Sequence, residues 1–322
     1  MAETMSKSDV VQRITEPLSP EKFIEMYWPA RHYVCHGEAN RHISTLHLPE
    51  NVTVEDIVSL YKNPIMVVGD CVIDASEGIT DRFMVSPSEA LHWYEQGGAL
   101  EFDFVDLFIP SIRKTIQELK SFLKLPQGTH GKAVAYAAKN GGGFKAHFDA
   151  YANFVFQIRG RKKWMVLENS NVTYPVQHYD LAEYPYMPVE LKAYWNGQAP
   201  DPTLPNAHEI ELQPGSMLFL PRGYWHSTES QEETLAINIT FGQATWIDFV
   251  LAALRQKLVH DEAFRSLAYN IEMKSFEMNE LLKKLPNYVG AITEEDLLQA
   301  QSSDLDLYQT TQLVFRQYLS YQ

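Results

Sequence analysis

Short amphipathic helices dominate the first 130 residues of the chain. Ser19 can cap a helix that begins at Pro20, and segments 51–63 and 86–98 repeat this pattern of a short capped helix. Between residues 110 and 123, isoleucine and leucine recur at helical spacing, so this helix packs one face on a core. We interpret these elements as scaffold.

Between about residues 132 and 243 the hydrophobic period changes to two. Short runs rich in β-branched and aromatic residues alternate with turns made of Gly, Pro, Asn or charged residues. This pattern is typical of an antiparallel sandwich or barrel. The longest gap between the runs, residues 169–207, is rich in Tyr, Pro and Asn and predicts no long regular element. We interpret it as an insertion that covers a site.

From about Thr245 the helical period returns. Apolar stripes run through residues 246–254, 264–271 and 304–322. We therefore predict one domain over residues 1–245, with its barrel core at about 132–243, and a helical region over residues 246–322. The helices of that region can pair two subunits, which favours a homodimer, or pack on their own barrel.

The composition narrows the possible partners and ligands. The 322 residues carry a formal net charge of -14, which disfavours binding to nucleic acid or anionic lipid. No window approaches the roughly 18 apolar residues of a membrane span, and residues 1–20 do not resemble a secretory signal or a transit peptide. With Cys35 and Cys71 as the only cysteines, a metal would need histidine and carboxylate ligands. We expect a cytoplasmic protein that binds neither nucleic acid nor membranes.

Two segments carry candidate metal ligands. In "AHFDAY", His147 and Asp149 project from the same face of a strand, because side chains alternate with period two. Far along the chain, "PGSMLFLPRGYWHSTES" supplies His226. Two histidines and one carboxylate on one side of a metal suit Fe(II) and leave room for a bidentate cosubstrate and O2. An H-x-D spacing alone is common by chance, so its context decides.

A basic cluster supplies that context. The run "NFVFQIRGRKKWMVL" predicts two antiparallel strands joined by a turn near Gly160, with Lys162 and Trp164 on one face and Lys163 on the other. If the Lys162 face is the metal face, a buried ammonium group needs an anion, and a cosubstrate carboxylate would serve. The alternative is an exposed turn whose basic side chains all stay in water.

Together, "GGGFKAHFDAYANFVFQIRGRKKW", "LQPGSMLFLPRGYWHSTES" and "LAINITFG" resemble the JmjC/cupin-type Fe(II)- and 2-oxoglutarate-dependent oxygenases. Within them the chain is similar to the asparaginyl hydroxylase that acts on hypoxia-inducible factor and to the ribosomal oxygenases. The resemblance implies a mainly β fold with flanking helices: a double-stranded β-helix of the cupin or jelly-roll type, with N-terminal α/β elements and a C-terminal helical extension. Residues 1–245 would then be the catalytic domain.

The resemblance also assigns the catalytic metal ligands. His147, Asp149 and His226 match the residues that bind iron in the family. Lys162 matches the residue that pairs with the distal carboxylate of 2-oxoglutarate. At the position three residues before His147, where the asparaginyl hydroxylase has threonine, this chain has Phe144.

Further cosubstrate-binding residues follow from the same resemblance. Asn153 and Asn238 match amides near the other carboxylate of 2-oxoglutarate and the iron, and each is a polar residue in an apolar strand. Their alternative interpretation is a structural amide with satisfied hydrogen bonds. Tyr136 occupies a position where some relatives place a hydroxyl donor to the distal carboxylate, and Thr240 is a further candidate for binding the cosubstrate.

The function implied by the resemblance is hydroxylation of an amino-acid side chain in a protein or peptide, with 2-oxoglutarate decarboxylated to succinate. Hydroxylation of a small molecule or natural-product peptide precursor and lysine demethylation are alternatives within the family. A different cupin enzyme is disfavoured because such enzymes commonly add a third histidine and a glutamate as ligands. A non-enzymatic binding module would not need the complete set of metal ligands.

Overall fold

The β-rich middle of the chain forms two antiparallel sheets. The computed structural model describes residues 9–69, 82–126, 129–139, 141–242 and 244–300. The larger sheet has the strand order β1-β11-β7-β13-β5-β4-β2-β3, and the smaller sheet has the order β10-β8-β12-β6-β9. The strands are β1 (Tyr33–Cys35), β2 (Ile65–Val68), β3 (Arg82–Val85), β4 (Ala99–Phe102), β5 (His130–Ala138), β6 (His147–Phe148), β7 (Ala152–Arg159), β8 (Lys162–Leu167), β9 (Tyr179–Asp180), β10 (His208–Leu212), β11 (Met217–Leu220), β12 (Trp225–Ser230) and β13 (Thr234–Gly242).

Helices precede, interrupt and follow the sheets. Those predicted at Pro20, within 51–63 and 86–98, and from residue 110 are present, and Ser19 caps the first of them by accepting a hydrogen bond from the backbone N–H of Lys22. The helices are α1 (Asp9–Thr15), α2 (Pro20–Met26), α3 (Arg41–Leu46), α4 (Val54–Leu60), α5 (Pro87–Glu95), α6 (Pro110–Phe122), α7 (Val189–Ala193), α8 (Trp246–Leu258), α9 (Glu262–Arg265), α10 (Ser275–Gly290) and α11 (Glu294–Gln299). Short 3-10 turns lie at Val105–Leu107, Leu181–Glu183 and Ile271–Met273.

The described residues divide into two compact units. The first contains the residues up to Lys124 together with Gly131–Phe241, and so holds almost all of both sheets. The second contains Leu125–His130 and the described residues from Gly242 onwards. The predicted fold class, mainly β with flanking helices, is confirmed by the first unit. The predicted domain boundary at residues 245 and 246 stays a prediction.

The burial pattern of the strands explains why the sheets pack face to face. On β8 buried and half-buried positions alternate strictly, as expected for a strand with one face on the core. β7 and β13 lie in the centre of the larger sheet and are buried along nearly their whole length. These neighbouring strands supply the interior wall on which the candidate site is built.

The second unit is helical and is held by small residues. Ala252 and Ala253 of α8 pack against Ala300, and Lys257 of α8 forms an ion pair of 2.7 Å with Asp296 of α11. No helix in the described part of the chain is long and apolar enough to cross a membrane. The cytoplasmic location stays a prediction.

One helical prediction in this unit is wrong. The stripe at residues 264–271 does not form a single helix, because α9 ends at Arg265 and Ser266 adopts an extended conformation with ψ of 152°. Asn270 is left-handed, with φ of 49°, and precedes a 3-10 turn. The stripe predicted at residues 304–322 lies outside the described residues.

Candidate active site

Three side chains form a compact group of possible metal ligands between the sheets. His147 on β6 pairs directly with His226 on β12, and Asp149 follows β6 by one residue. Each offers one ligand atom, and these atoms all lie within 4.8 Å of one another. All three residues are buried. The structure therefore brings together the three predicted ligands, although they come from distant parts of the sequence.

Backbone carbonyl groups orient both imidazole rings. Nδ1 of His147 donates to the carbonyl oxygen of Lys145 at 2.7 Å, and Nδ1 of His226 donates to that of Tyr224 at 3.0 Å. Each ring therefore keeps its Nε2 free as an electron-pair donor. Such hydrogen bonds at the second ring nitrogen are the usual way in which proteins orient a metal-binding histidine.

The charges of the three residues also suit a divalent metal. Burial lowers the pKa of His147 to about 3 and lowers that of His226 as well, so both rings are neutral at physiological pH. Burial opposes ionisation of Asp149, but the hydrogen bond from His178 and the neighbouring histidines hold its pKa well below its usual range. Two neutral imidazoles and one carboxylate fit Fe(II) in donor type, number and charge.

A chain of amides supports the carboxylate. Asn153 on β7 donates from Nδ2 to Asp149 Oδ2 at 2.8 Å, and Asn238 on β13 donates to Asn153 Oδ1 at 2.9 Å. Asn238 Oδ1 is buried without a hydrogen-bond partner among the described residues. Asn153 thus contacts a candidate metal ligand directly, while its predicted role near the cosubstrate stays a prediction.

Lys162 points into the same interior space. It is 3% exposed, whereas its neighbour Lys163 is on the other face and pairs with Glu209 at 2.6 Å. Burial lowers the pKa of Lys162 to about 8. Within the described residues no carboxylate pairs with it, and its Nζ lies 5.5 Å from the centre of the Phe144 ring. The exposed-turn alternative for Lys162 is therefore wrong, and the ammonium group is available to an anionic ligand.

A cavity of about 240 Å³ connects these groups. Tyr136 lines it, with its ring 5.2 Å from that of Phe144. Thr240 is buried and pairs in register with Asn153, but it is not part of the cavity lining. The lining residues are Arg82, Glu101, Tyr136, Phe144, His147, Asp149, Tyr151, Asn153, Lys162, Trp164, His178, His226, Thr228 and Asn238.

A close backbone approach explains the glycine run before His147. The backbone of Phe144 exchanges hydrogen bonds with Thr228 on β12 at 3.2 and 2.9 Å. A Cβ atom on Gly143 would lie 1.9 Å from the carbonyl oxygen of Thr228, so only glycine fits. This contact places the segment beside β12 and thereby sets His147 opposite His226.

Several lining residues carried no signal in the sequence. Arg82 and Glu101 come from strands of the N-terminal part, and His178 comes from the 169–207 insertion. His178 Nδ1 lies 3.0 Å from Asp149 Oδ1, and its Nε2 lies 3.2 Å from Asp180 Oδ2. Burial alone would lower its pKa, but these hydrogen bonds raise the pKa of His178 to about 10. A polar residue in an irregular, tyrosine-rich segment gives no periodicity from which this contact could be read.

Comparison with known proteins identifies the family. The JmjC domain family matches residues 108–249, a range that contains all three candidate metal ligands. The chain is also 53% identical over 319 residues to the uncharacterised protein YxbC of Bacillus subtilis (strain 168), covering 97% of each chain. The chain belongs to the JmjC domain family. The family uses Fe(II), 2-oxoglutarate and O2, so the recognition and cofactor predictions are confirmed at family level.

More distant JmjC relatives share parts of the chain. Human ribosomal oxygenase 1 is 24% identical over 249 residues, which cover 74% of this chain and 35% of the human protein. The chain thus spans about a third of that relative's length. The solved structure of YcfD, a ribosomal oxygenase from Escherichia coli in complex with cobalt and 2-oxoglutarate, superposes with a TM-score of 0.53 at 16% identity, covering 88% of this chain and 70% of that one. At this identity the likeness shows the shared fold. The roles of individual residues stay predictions.

Proposed function

We propose that this JmjC protein is an Fe(II)- and 2-oxoglutarate-dependent oxygenase that hydroxylates an amino-acid side chain in a protein or peptide. The observation that carries the proposal is one cavity that holds both the buried group of His147, Asp149 and His226 and the ammonium of Lys162, which pairs with no carboxylate among the described residues. A metal alone would not need the cation, and an anion alone would not need the three ligands. A chelating dicarboxylate cosubstrate needs both.

Each of the main cavity residues has its own role in the proposed reaction. His147, Asp149 and His226 would hold Fe(II), which supplies activation of O2 when 2-oxoglutarate is bound. Lys162 binds the distal carboxylate of 2-oxoglutarate, and Tyr136 offers a hydroxyl group from the neighbouring wall. Trp164 stacks on the His226 ring at 5.6 Å with an interplanar angle of 17°, which keeps water from that side of the metal group.

A polypeptide is the substrate class that the molecule supports best. Two tyrosine side chains of the insertion are exposed, Tyr174 by 72% and Tyr186 by 83%. In the sequence they lie on either side of β9, which begins directly after His178. Tyrosine supplies contact area at low entropic cost in recognition surfaces. The net charge of -14 favours a basic partner. The names of the ribosomal oxygenase relatives make ribosomal proteins the first substrates to test.

Succinate formation tests the reaction class. The purified protein should convert 2-oxoglutarate to succinate only when Fe(II) and O2 are present, and His147→Ala should abolish this conversion. Candidate peptides are then screened by mass spectrometry for addition of one oxygen atom. Turnover that persists without Fe(II), or full turnover in His147→Ala, would contradict the proposed function.

We also propose that the helical region forms a homodimer. On α8 the side chains of Ile247 and Leu251 are 57% and 53% exposed, and Trp246 is 77% exposed. A contiguous apolar helix face of this kind marks an interaction site. Light scattering should give twice the chain mass, and Leu251→Asp should give the monomer mass. A monomeric wild-type protein would refute the proposal.

A further inference from the structure

The 169–207 insertion reaches the metal group through one residue. His178 Nδ1 lies 3.0 Å from Oδ1 of Asp149. The other carboxylate oxygen, Oδ2, receives the amide hydrogen bond of Asn153 at 2.8 Å and lies 3.7 Å from His226 Nε2. Oδ2 therefore faces the other ligands, while Oδ1 faces the insertion.

The far side of the His178 ring is held as well. Its Nε2 lies 3.2 Å from Asp180 Oδ2, and Asp180 Oδ1 lies 3.2 Å from Nη2 of Arg82 on β3. β9 pairs with β6, so that Asp180 is in register with His147. The His178 ring is thus fixed by backbone pairing and by two carboxylates at once. Both ring nitrogens therefore face carboxylate oxygens, which hold the ring in place from two sides.

We propose that His178 is a positioning residue that keeps Oδ1 of Asp149 away from the metal and links this ligand, through Asp180, to Arg82 on the cavity wall. The inference rests on the proposed function. A carboxylate that bound through both oxygens would take a coordination position that a bidentate cosubstrate or O2 requires. With Oδ1 engaged by His178, Asp149 would bind the metal through Oδ2. The insertion is then a structural part of the metal centre as well as its cover.

The test measures metal binding, which needs no turnover. His178→Phe keeps a ring of similar size and removes both hydrogen bonds, whereas His178→Gln can keep one donor to Asp149. The matched control is Gln177→Ala, which removes a hydrogen bond of 2.8 Å between Gln177 and Glu190 inside the same insertion. Co(II) affinity is measured by titration, and the visible spectrum of the Co(II) protein reports the coordination number.

We expect Co(II) affinity to fall about 10- to 100-fold in His178→Phe, less in His178→Gln, and not at all in Gln177→Ala. The Co(II) spectrum of His178→Phe should shift towards higher coordination, as Oδ1 of Asp149 becomes free to bind. The charge-transfer absorption of the anaerobic Fe(II) and 2-oxoglutarate complex should weaken in parallel.

Two results would overturn the inference. If His178→Phe binds Co(II) like the wild type, His178 serves only to anchor the insertion. If its spectrum shifts to lower coordination, His178 is itself a ligand. If His178→Phe does not fold, the same Co(II) titrations of His178→Gln and Asp180→Asn test the inference, because both substitutions retain the side-chain volume. If the wild-type protein binds Co(II) but shows no 2-oxoglutarate-dependent turnover, the proposed function is refuted. The metal titrations of the variants then still test the role of His178.

Discussion

Replacing Lys162 by methionine should stabilise the protein without ligand and abolish its binding of 2-oxoglutarate. The lysine is 3% exposed, and burial lowers its pKa from 10.5 to about 8. This lowering corresponds to about 3 kcal/mol of free energy against the charged form in the folded state at neutral pH. Methionine keeps an apolar stem of similar length and removes the charge, so we expect a gain of about 1 to 3 kcal/mol.

In the presence of saturating 2-oxoglutarate, the wild type should be more stable than Lys162→Met. In the metal-loaded wild type, 2-oxoglutarate at about 100 times its Kd adds roughly 2.7 kcal/mol to the free energy of unfolding. Lys162→Met should gain almost nothing, because loss of one partner of a buried ion pair costs about 3 to 5 kcal/mol, or more than a hundredfold in Kd. Lys163→Met is the matched control, since Lys163 is on the outer face and pairs with Glu209.

The assay is thermal unfolding of wild type and both variants, with and without 2-oxoglutarate, alongside calorimetric titration of the cosubstrate. For a unit of this size 1 kcal/mol moves Tm by roughly 2 to 4 °C. A lower Tm for ligand-free Lys162→Met would show that the fold already neutralises the lysine. Wild-type affinity for 2-oxoglutarate in this variant would refute the role of Lys162 as the cosubstrate cation.

Lys162 should also make the stability of the ligand-free protein depend on pH, and substitutions of Asn153 and Trp164 should affect the binding of metal and of cosubstrate separately. Since the unfolded chain binds more protons than the folded one between pH 8 and 10.5, the stability of the ligand-free wild type should rise with pH across this window, and that rise should be absent in Lys162→Met. Asn153→Leu removes the amide that donates to Asp149, so the affinity for Co(II) should fall about 10- to 100-fold in titrations. An unchanged Kd for Co(II) would show that this amide is purely structural. Trp164→Phe keeps a ring against His226 but removes a buried indole N–H that has no partner among the described residues. The KM for 2-oxoglutarate should therefore rise about tenfold, while the Kd for the metal stays unchanged. An unchanged KM would limit the role of Trp164 to packing.

The residues that could be predicted from the sequence are those whose direction a strand dictates. Alternation with period two puts Lys162 and Trp164 on one face of β8 and Lys163 on the other, and the structure has this arrangement. The same alternation predicts His147 and Asp149 on one side; β6 ends at Phe148, but the ligand atoms of both residues lie within the same metal group. The pairing of His147 with His226 needed the resemblance to a family, because no local rule connects two strands so far apart in the chain.

The residues that could not be predicted lie where the backbone direction depends on tertiary contacts. His178 reaches Asp149 only because β9, two residues long, pairs with β6. The N-terminal residues Arg82 and Glu101 line the cavity because β3 and β4 extend the larger sheet beyond β5. The helix predicted over 264–271 failed for a local reason, since apolar spacing does not reveal the extended conformation of Ser266.

The buried polar groups of the site fall into two sets, and the division locates the ligands. Around Asp149 the hydrogen bonds of Asn153 and His178 are made within the protein, so this half is organised before any cosubstrate arrives. By contrast, the buried atoms Trp164 Nε1 and Asn238 Oδ1 have no hydrogen-bond partner in the described part of the chain, and no carboxylate among the described residues pairs with the buried Lys162. Since a buried polar atom without a partner costs about 1 to 3 kcal/mol, these two atoms and the buried lysine together are a substantial penalty for the ligand-free fold. A ligand that offers carboxylate oxygens to Lys162 and Trp164, with a bridging water at Asn238, would remove this penalty on binding. The proposed function therefore predicts 2-oxoglutarate on the lysine side of the cavity and the metal on the Asp149 side.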